Sequence, residues 1–301
     1  MAAETIVELA AGPLRLALNP AVGGSIAAFD WTCGEDRRPI LRRCGEGGAS
    51  VLDSACFPLV PYVNRIRGGR FTFRGREVTL KPNMAGDLSP LHGQGWLSPW
   101  EVEAADERSA VLSFRHEPGE WPWPYRAVQS VALDEGGLSL RLVCHNSGSE
   151  PMPCGLGAHP YFPCGAQTRI YTDVESAWTV DDKVLPVEKV PAEGRYQLWD
   201  RPVCARGLDN GFTGWAGIAR FEDPDWPFEL ELSSPGTRFF QLYSPPEGGI
   251  FVAEPVTHAN AALNAPEAEW PELGMRVLEP GEAMGLDMRL DVRSKSARGS
   301  G

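Results

Sequence analysis

The feature that most constrains this chain is the rhythm of its apolar residues. They alternate with polar ones in short runs, and the runs are closed by Gly or Pro. Alternation with period two puts every apolar side chain on one face of an extended segment, the mark of half-buried antiparallel strands. It predicts strands over 5–9, 14–18, 70–73, 78–80, 100–104, 110–116, 125–133 and 138–145, and further ones over 228–233, 239–243, 250–252 and 285–292. Between two of the longest runs lie Asp134, Glu135, Gly136 and Gly137. Glycine takes positive φ without steric cost, so this segment predicts a tight hairpin turn, and Arg74-Gly75-Arg76 reads the same way. No long helical periodicity interrupts the strands. The 33 Gly and 27 Pro are spread over all 301 residues rather than gathered in a linker. A single domain is therefore expected over 1–292, with a small polar tail, 293–301, expected to be disordered. Many short strands with frequent turns bury their apolar faces by stacking two sheets. The expected fold class is mostly β, a large antiparallel β-sandwich.

Charge narrows the partners. A net charge of −12 repels phosphate backbones and anionic lipid surfaces, so neither nucleic acid nor membrane is expected. The arginines that run against this balance, Arg42-Arg43 and Arg65, Arg67 and Arg70, are separated by apolar or Gly residues and read as local ion pairs or a solvated face. The opening MAAETIVELAAG has two Glu and no basic segment, unlike a secretion signal, and no stretch approaches the ~18 apolar residues of a membrane span. Seven cysteines form an odd set without a CxxC pair, which suits reduced thiols in a cytoplasmic protein.

Two of the five histidines sit among Gly and aromatic residues, in Leu91-His92-Gly93-Gln94-Gly95-Trp96 and Gly157-Ala158-His159-Pro160-Tyr161-Phe162. Glycine beside an imidazole leaves the ring open to a ligand; the competing reading is a ring that satisfies a buried backbone group. In Phe251-Val252-Ala253-Glu254-Pro255 a strand-like run is expected to end in a carboxylate, held extended by the proline that follows. An imidazole and a carboxylate together suit a reaction in which one oxygen loses a proton while another gains one. Interconversion of sugar anomers has that form: the anomeric hydroxyl is deprotonated as the ring oxygen is protonated. It needs no metal and no organic cofactor.

Taken in order between residues 64 and 255, the blocks NRIRGGRFTFRGREVTL, LHGQGW, GLGAHPYF and FVAEP resemble the signature of the aldose 1-epimerase, or galactose mutarotase-like, family. The resemblance implies a large antiparallel β-sandwich (a supersandwich) with an open cleft across one sheet. It implies an aldose 1-epimerase activity with His159 as general acid and Glu254 as general base. By the same resemblance His92 and Arg65 contact the sugar near its ring oxygen and hydroxyls, with His92 able to share the acid role, and Asp209 in LDNGF bonds sugar hydroxyls. The implied partner is a small-molecule sugar, and the chain is expected as a monomer or homodimer. One block departs from the pattern: where family members often carry Asp-Ala-Phe-Asn, this chain has Asn260-Ala261-Ala262-Leu263-Asn264.

Trp96 and Tyr161 are candidates to stack on a sugar face, with core packing as the other reading. The run Trp121-Pro122-Trp123-Pro124-Tyr125 reads as a rigid loop or lid. Three further readings stay open. A non-catalytic sugar-binding protein on the same scaffold needs no acid and base. A phosphorylated or sulfonated sugar would give Arg67 and Arg70 an anion to pair with. A metal-dependent β-barrel enzyme would use His92, His159, Glu254 and His258, although no HxH or HxxxH pair is present.

Overall fold

The structure is a computed structural model and describes residues 6–44 and 50–295. Strands dominate it. A nine-stranded antiparallel sheet has Ala283–Ser294 at its centre, flanked by Gly137–Asn146, Tyr125–Asp134, Ser109–His116 and Glu101–Ala105 on one side and by Phe228–Ser233, Ile218–Glu222, Arg169–Tyr171 and Trp199–Pro202 on the other. An eight-stranded sheet runs in the order Pro186–Pro191, Ser176–Val180, Leu208–Thr213, Phe239–Ser244, Ile250–Val256, Gly157–Ala158 and Pro58–Leu59, with Tyr161–Pro163 also paired to Ile250–Val256. A four-stranded meander, Val7–Ala11 to Asp36–Leu41, completes the large sheets. Among the described residues no helix is long and apolar enough to cross a membrane. All seven cysteines are free thiols.

Alternation decides what each strand buries. In Tyr125–Asp134 the side chains of Tyr125, Ala127, Gln129, Val131 and Leu133 face inward while the intervening ones are more exposed. The inward polar residue, Gln129, is satisfied by donating to the Gly24 carbonyl at 2.7 Å. The two sheets meet through aromatic rings. Phe221 of the nine-stranded sheet lies 5.0 Å, centroid to centroid, from both Phe162 and Phe251 of the eight-stranded sheet. Such contacts make a sandwich core of the kind expected when two sheets stack on their apolar faces.

The eight-stranded sheet is apolar on both faces. Phe240, Leu242, Phe251 and Ala253 belong to the main core. Their neighbours in sequence, Phe239, Val252 and Val256, point the other way into a second cluster with Phe57, Trp96 and Tyr161. That second cluster floors a cleft, so the strands over 239–256 are buried on both sides.

The expected hairpins form as read. Asp134 pairs with Gly137 around Glu135-Gly136, and Phe73 pairs with Arg76 around Arg74 (φ 48°) and Gly75 (φ 79°), the positive-φ pair that a two-residue hairpin turn requires. Two expectations are corrected. The strand expected over 250–252 continues to Val256, so Glu254 stands inside a strand rather than at its end. The WPWPY run is a loop but not a lid: Trp121 and Trp123 are buried, and Trp121 stacks near Tyr62 and Phe71. The last strand runs to Ser294, past the expected start of the tail; residues 296–301, like Thr5 in the first expected strand, lie outside the described residues.

Candidate active site

Strand register assembles the site. Gly157 pairs with Val256 and Tyr161 with Val252, so the same antiparallel register carries His159 to the position opposite Glu254. Pairing is interrupted between these two short ladders, and Pro160 and Pro255 occupy the interruption. Proline has no N–H to give a ladder, so its place in the gap costs no hydrogen bond. The other edge of this segment is held by residues 55–59: the His159 N–H donates to the Phe57 carbonyl at 3.0 Å and the Tyr161 N–H to Ala55 at 2.8 Å. The result is a His159 Nε2 to Glu254 Oε1 distance of 3.6 Å, with the residues 9% and 3% exposed.

The neighbouring strand adds polar groups on the same face. Gln241 lies opposite Glu254, and Tyr243 lies opposite Asp209. The Gln241 amide donates to Asp209 Oδ1 at 2.7 Å and so holds that carboxylate in place. Gly211, opposite Gln241, leaves the room this needs, since a Cβ there would come within 3.2 Å of Gln241 Oε1.

His92 and Arg65 arrive from two loops that clasp each other. The His92 N–H donates to the Asn64 carbonyl, and the Asn64 N–H donates to His92 Nδ1, each at 3.0 Å. An Nδ1 that accepts carries no proton. The His92 ring is therefore the Nε2–H tautomer, with Nε2 as a donor. Gly93 makes the clasp possible: at φ 74°, a Cβ would stand 2.1 Å from the Val60 carbonyl oxygen. Arg65 donates through Nε to Asp87 at 2.8 Å and through a terminal nitrogen to Asn64 Oδ1 at 3.2 Å. Its own N–H is held by Asn260 Oδ1 at 3.1 Å.

All five residues named from the sequence, Arg65, His92, His159, Asp209 and Glu254, line one cavity of 240 Å³, with Phe57, Asn64, Tyr161 and Tyr243 among its other walls. A larger groove of 530 Å³ along the first meander is lined by Glu8, Arg15, Arg37 and Glu107, without a histidine, cysteine or tyrosine. The chemically equipped cavity is the smaller one.

Burial sets the charges. The His159 imidazole is pushed down to about 3, mainly by desolvation and in part by the Arg42 cation. His92 is held well below the ordinary imidazole range by burial, with His159 and Arg65 acting in the same direction. Glu254 moves the other way: desolvation and then the nearby Asp209 charge raise it well above the ordinary carboxylate range, against the pull of Arg65. Asp209 is raised by burial, opposed by Arg65 and the Gln241 bond. A 3.6 Å separation would suit an ion pair, but desolvation works on both partners and favours the neutral form of each. A neutral carboxyl facing a neutral imidazole holds one transferable proton between them.

Several sequence readings resolve differently. His258 is no ligand: its Nε2 accepts from the Val63 N–H at 3.0 Å and its Nδ1 donates to the Ala259 carbonyl at 2.8 Å. Among the described residues no group of three or more His, Cys, Asp or Glu side chains is arranged to hold a metal ion. Arg67 is exposed and bonds the Pro186 carbonyl, and neither it nor Arg70 lines the cavity. Trp96 is 1% exposed with its N–H shared between the Leu91 and Gly93 carbonyls, which makes it backing for the cavity wall rather than a free face. Asn64, Gln241 and Tyr243 were not singled out from the sequence. A polar Gln between aromatic neighbours in Phe239-Phe240-Gln241-Leu242-Tyr243 was the available signal for the last two.

Comparison with known proteins identifies the family and the fold. The aldose 1-epimerase family profile matches residues 6–291. YphB of Escherichia coli K12, a protein described as uncharacterized, is 34% identical over 299 residues, covering 96% of this chain and 99% of that one. A crystal structure from Escherichia coli K12, provisionally assigned as an aldose 1-epimerase, superposes with a TM-score of 0.86 at 32% identity over 97% of this chain and 99% of that one. A galactose mutarotase-like protein from Clostridium acetobutylicum shares the fold, with a TM-score of 0.82 at 18% identity over 96% and 95% of the two chains. The chain belongs to the aldose 1-epimerase family.

Proposed function

We propose that the protein is a mutarotase that interconverts the α and β anomers of an uncharged aldose, with Glu254 as general base and His159 as general acid. The observation that carries this reading is the cross-strand opposition of His159 and Glu254, 3.6 Å apart in a buried cavity. In the reactive form the shared proton sits on His159. Its Nε2–H protonates the ring oxygen as the bond from C1 to that oxygen breaks, and Glu254 takes the proton of the C1 hydroxyl. The open-chain aldehyde then faces a neutral imidazole and a neutral carboxyl, the state that burial of the pair favours. Rotation about C1–C2 presents the other carbonyl face, and the two transfers reverse as the ring closes. No proton need enter or leave the cavity during a turnover.

The remaining groups read the substrate. The fixed Nε2–H of His92 donates to the ring oxygen or a neighbouring hydroxyl, and Arg65 and Asp209 hold hydroxyls. Arg65 also offsets negative charge on Glu254. Arg67 and Arg70 lie outside the cavity lining, which favours an uncharged sugar over a phosphorylated or sulfonated one.

The test is polarimetry of freshly dissolved single anomers, with anomer exchange followed by NMR across neutral, 6-phosphorylated and 6-sulfonated aldoses. The wild-type protein is expected to accelerate exchange of a neutral aldose. Saturable binding of sugars without any acceleration would instead make the protein a sugar binder.

A further inference from the structure

The His159 ring is wedged in a cluster of aromatic rings. Phe57 lies against one face, with ring centroids 4.5 Å apart and planes 14° from parallel. Tyr161 lies beside the ring at 4.7 Å, tilted by 44°, and only 6.2 Å from Phe57, so the two rings meet His159 on adjacent sides. Beyond Phe57 the stack continues to Trp96 at 5.5 Å. Tyr161 is in turn covered by Arg42, whose guanidinium carbon lies 3.4 Å from the ring centroid.

Arg42 is itself fixed. Its Nε donates to the Ser54 carbonyl at 2.8 Å, a terminal nitrogen donates to the Leu52 carbonyl, and its backbone N–H donates to the Tyr161 carbonyl at 2.9 Å. A planar guanidinium anchored at its edge presents its face to the ring, a geometry an ammonium cannot reproduce. Tyr161 has little other freedom, since its N–H is bound to Ala55. His159 needs such support from its neighbours because its buried Nδ1 has no hydrogen-bond partner.

From this packing we infer that Arg42 is a positioning residue for the reaction: by clamping Tyr161 it holds the His159 imidazole in line with Glu254. The inference rests on the acid role proposed for His159. Arg42 does not line the cavity, so its effect falls on the chemical step rather than on sugar binding.

The test compares Arg42→Met and Arg42→Lys with the wild-type protein, alongside Glu254→Gln. In Arg42→Met, kcat for anomer exchange is expected to fall by about ten- to a hundredfold, the scale of a misplaced reacting group, with KM within twofold. Arg42→Lys keeps the charge but loses the planar stack, and kcat is expected to stay well below wild type. Independently of turnover, the His159 ring protons, packed on the Phe57 face and beside the Tyr161 ring, carry ring-current shifts in the NMR spectrum, which both variants are expected to relax. Unchanged kcat and unchanged His159 shifts in both variants would overturn the inference, and so would a loss confined to KM. Failure of the wild-type protein to accelerate exchange would instead refute the mutarotase reading, while the ring shifts still report whether Arg42 orders His159.

Discussion

His159 and His258 are both buried, 9% and 2% exposed, and both pack against the segment that runs from Phe57 to Asn64. They differ in how their nitrogens are used. His258 gives both to the backbone, accepting from Val63 and donating to Ala259, and it packs so closely on Gly155 that a Cβ there would stand 2.0 Å from its ring. His159 leaves Nδ1 unpaired and turns Nε2 toward Glu254. His92 stands between them, with one nitrogen tied to Asn64 and the other available. Burial alone does not separate a structural imidazole from a reactive one; the use of its nitrogens does. An unsatisfied buried nitrogen costs stability that a satisfied one does not, and such cost is tolerated where chemistry needs the group.

The largest expected effect tests the two sides directly. Glu254→Gln and His159→Asn each remove one half of the proposed proton exchange, and each is expected to lower kcat for anomer exchange by roughly 10²–10⁴-fold, the usual worth of a positioned acid or base. His258→Gln, which can still accept from Val63, is expected to keep kcat within a few fold. Steady-state polarimetry on variants with wild-type circular dichroism spectra makes the comparison. A folded His258→Gln protein as inactive as His159→Asn would erase the distinction.

His92 sharpens it. With Nδ1 committed and Nε2–H donating, its expected contribution is one hydrogen bond to the substrate rather than the whole proton transfer. His92→Phe is expected to lower kcat/KM by about 10–100-fold, the equivalent of about 1.5–3 kcal/mol. A loss as deep as that of Glu254→Gln would mean that His92 shares the acid role.

How much of this was legible in the sequence follows from the same physics. Long strands with one apolar face announce themselves, so 125–133 and 138–145 were placed to within a residue or two of Tyr125–Asp134 and Gly137–Asn146. Between Met152 and Glu222 the strands are two to six residues long and broken by Pro or Gly, as in Gly157–Ala158 and Tyr161–Pro163, and alternation has no length in which to show. The sheet carrying Glu254 is buried on both faces, so Ile250 to Ala253 reads as a continuous apolar run, and the Glu254 and Pro255 that follow look like its end although the strand continues through them to Val256. His92, His159 and Glu254 stood out by their Gly, aromatic and Pro neighbours, whereas Arg65 and Asp209 were visible only because ordered blocks resembled a family. Nothing in their spacing alone brings residues 65, 92, 159, 209 and 254 together, since strand register places 159, 209 and 254 and a clasp of two loops places 65 and 92. The aromatic residues misled in the other direction. Trp121 and Trp123, set between prolines, read as a rigid loop or lid, yet they fill a core wedge beside Tyr62 and Phe71.

A pH experiment probes the structural side of the comparison. Burial lowers His258 from 6.5 to about 4. Between those values the unfolded chain binds a proton at this site and the folded protein does not, so the stability contribution is present above pH 6.5 and is lost as the pH falls toward 4. From pH 7.5 to pH 5 the loss attributable to His258 is about 2 kcal/mol. Glu254 and Asp209, raised by burial, act with the opposite sign, so the informative quantity is a difference between proteins. Urea denaturation at both pH values is expected to show the wild-type protein losing about 2 kcal/mol more than His258→Gln. Equal losses would mean that burial does not hold His258 neutral in the folded protein.

The smallest effect is expected at the departure from the family pattern. Asn260 and Asn264 contact backbone, not the cavity. Asn260 spans the Arg65 N–H and the Val184 carbonyl, the latter at 2.8 Å, and Asn264 accepts from the Arg67 N–H at 2.7 Å and donates to the Arg70 carbonyl at 2.8 Å. These side chains brace the loop that carries Arg65, so they act on the cleft only through it. Asn260→Ala removes two neutral hydrogen bonds from a half-buried position, and is expected to cost about 1–2 kcal/mol in urea denaturation. Its catalytic trace should be a rise in KM of a few fold as Arg65 loosens, with kcat near wild type, because His159 and Glu254 are held by a different ladder. A fall in kcat without a change in KM would show that the loop and the acid-base pair are one mechanical unit, and the division drawn between brace and cleft would have to be given up.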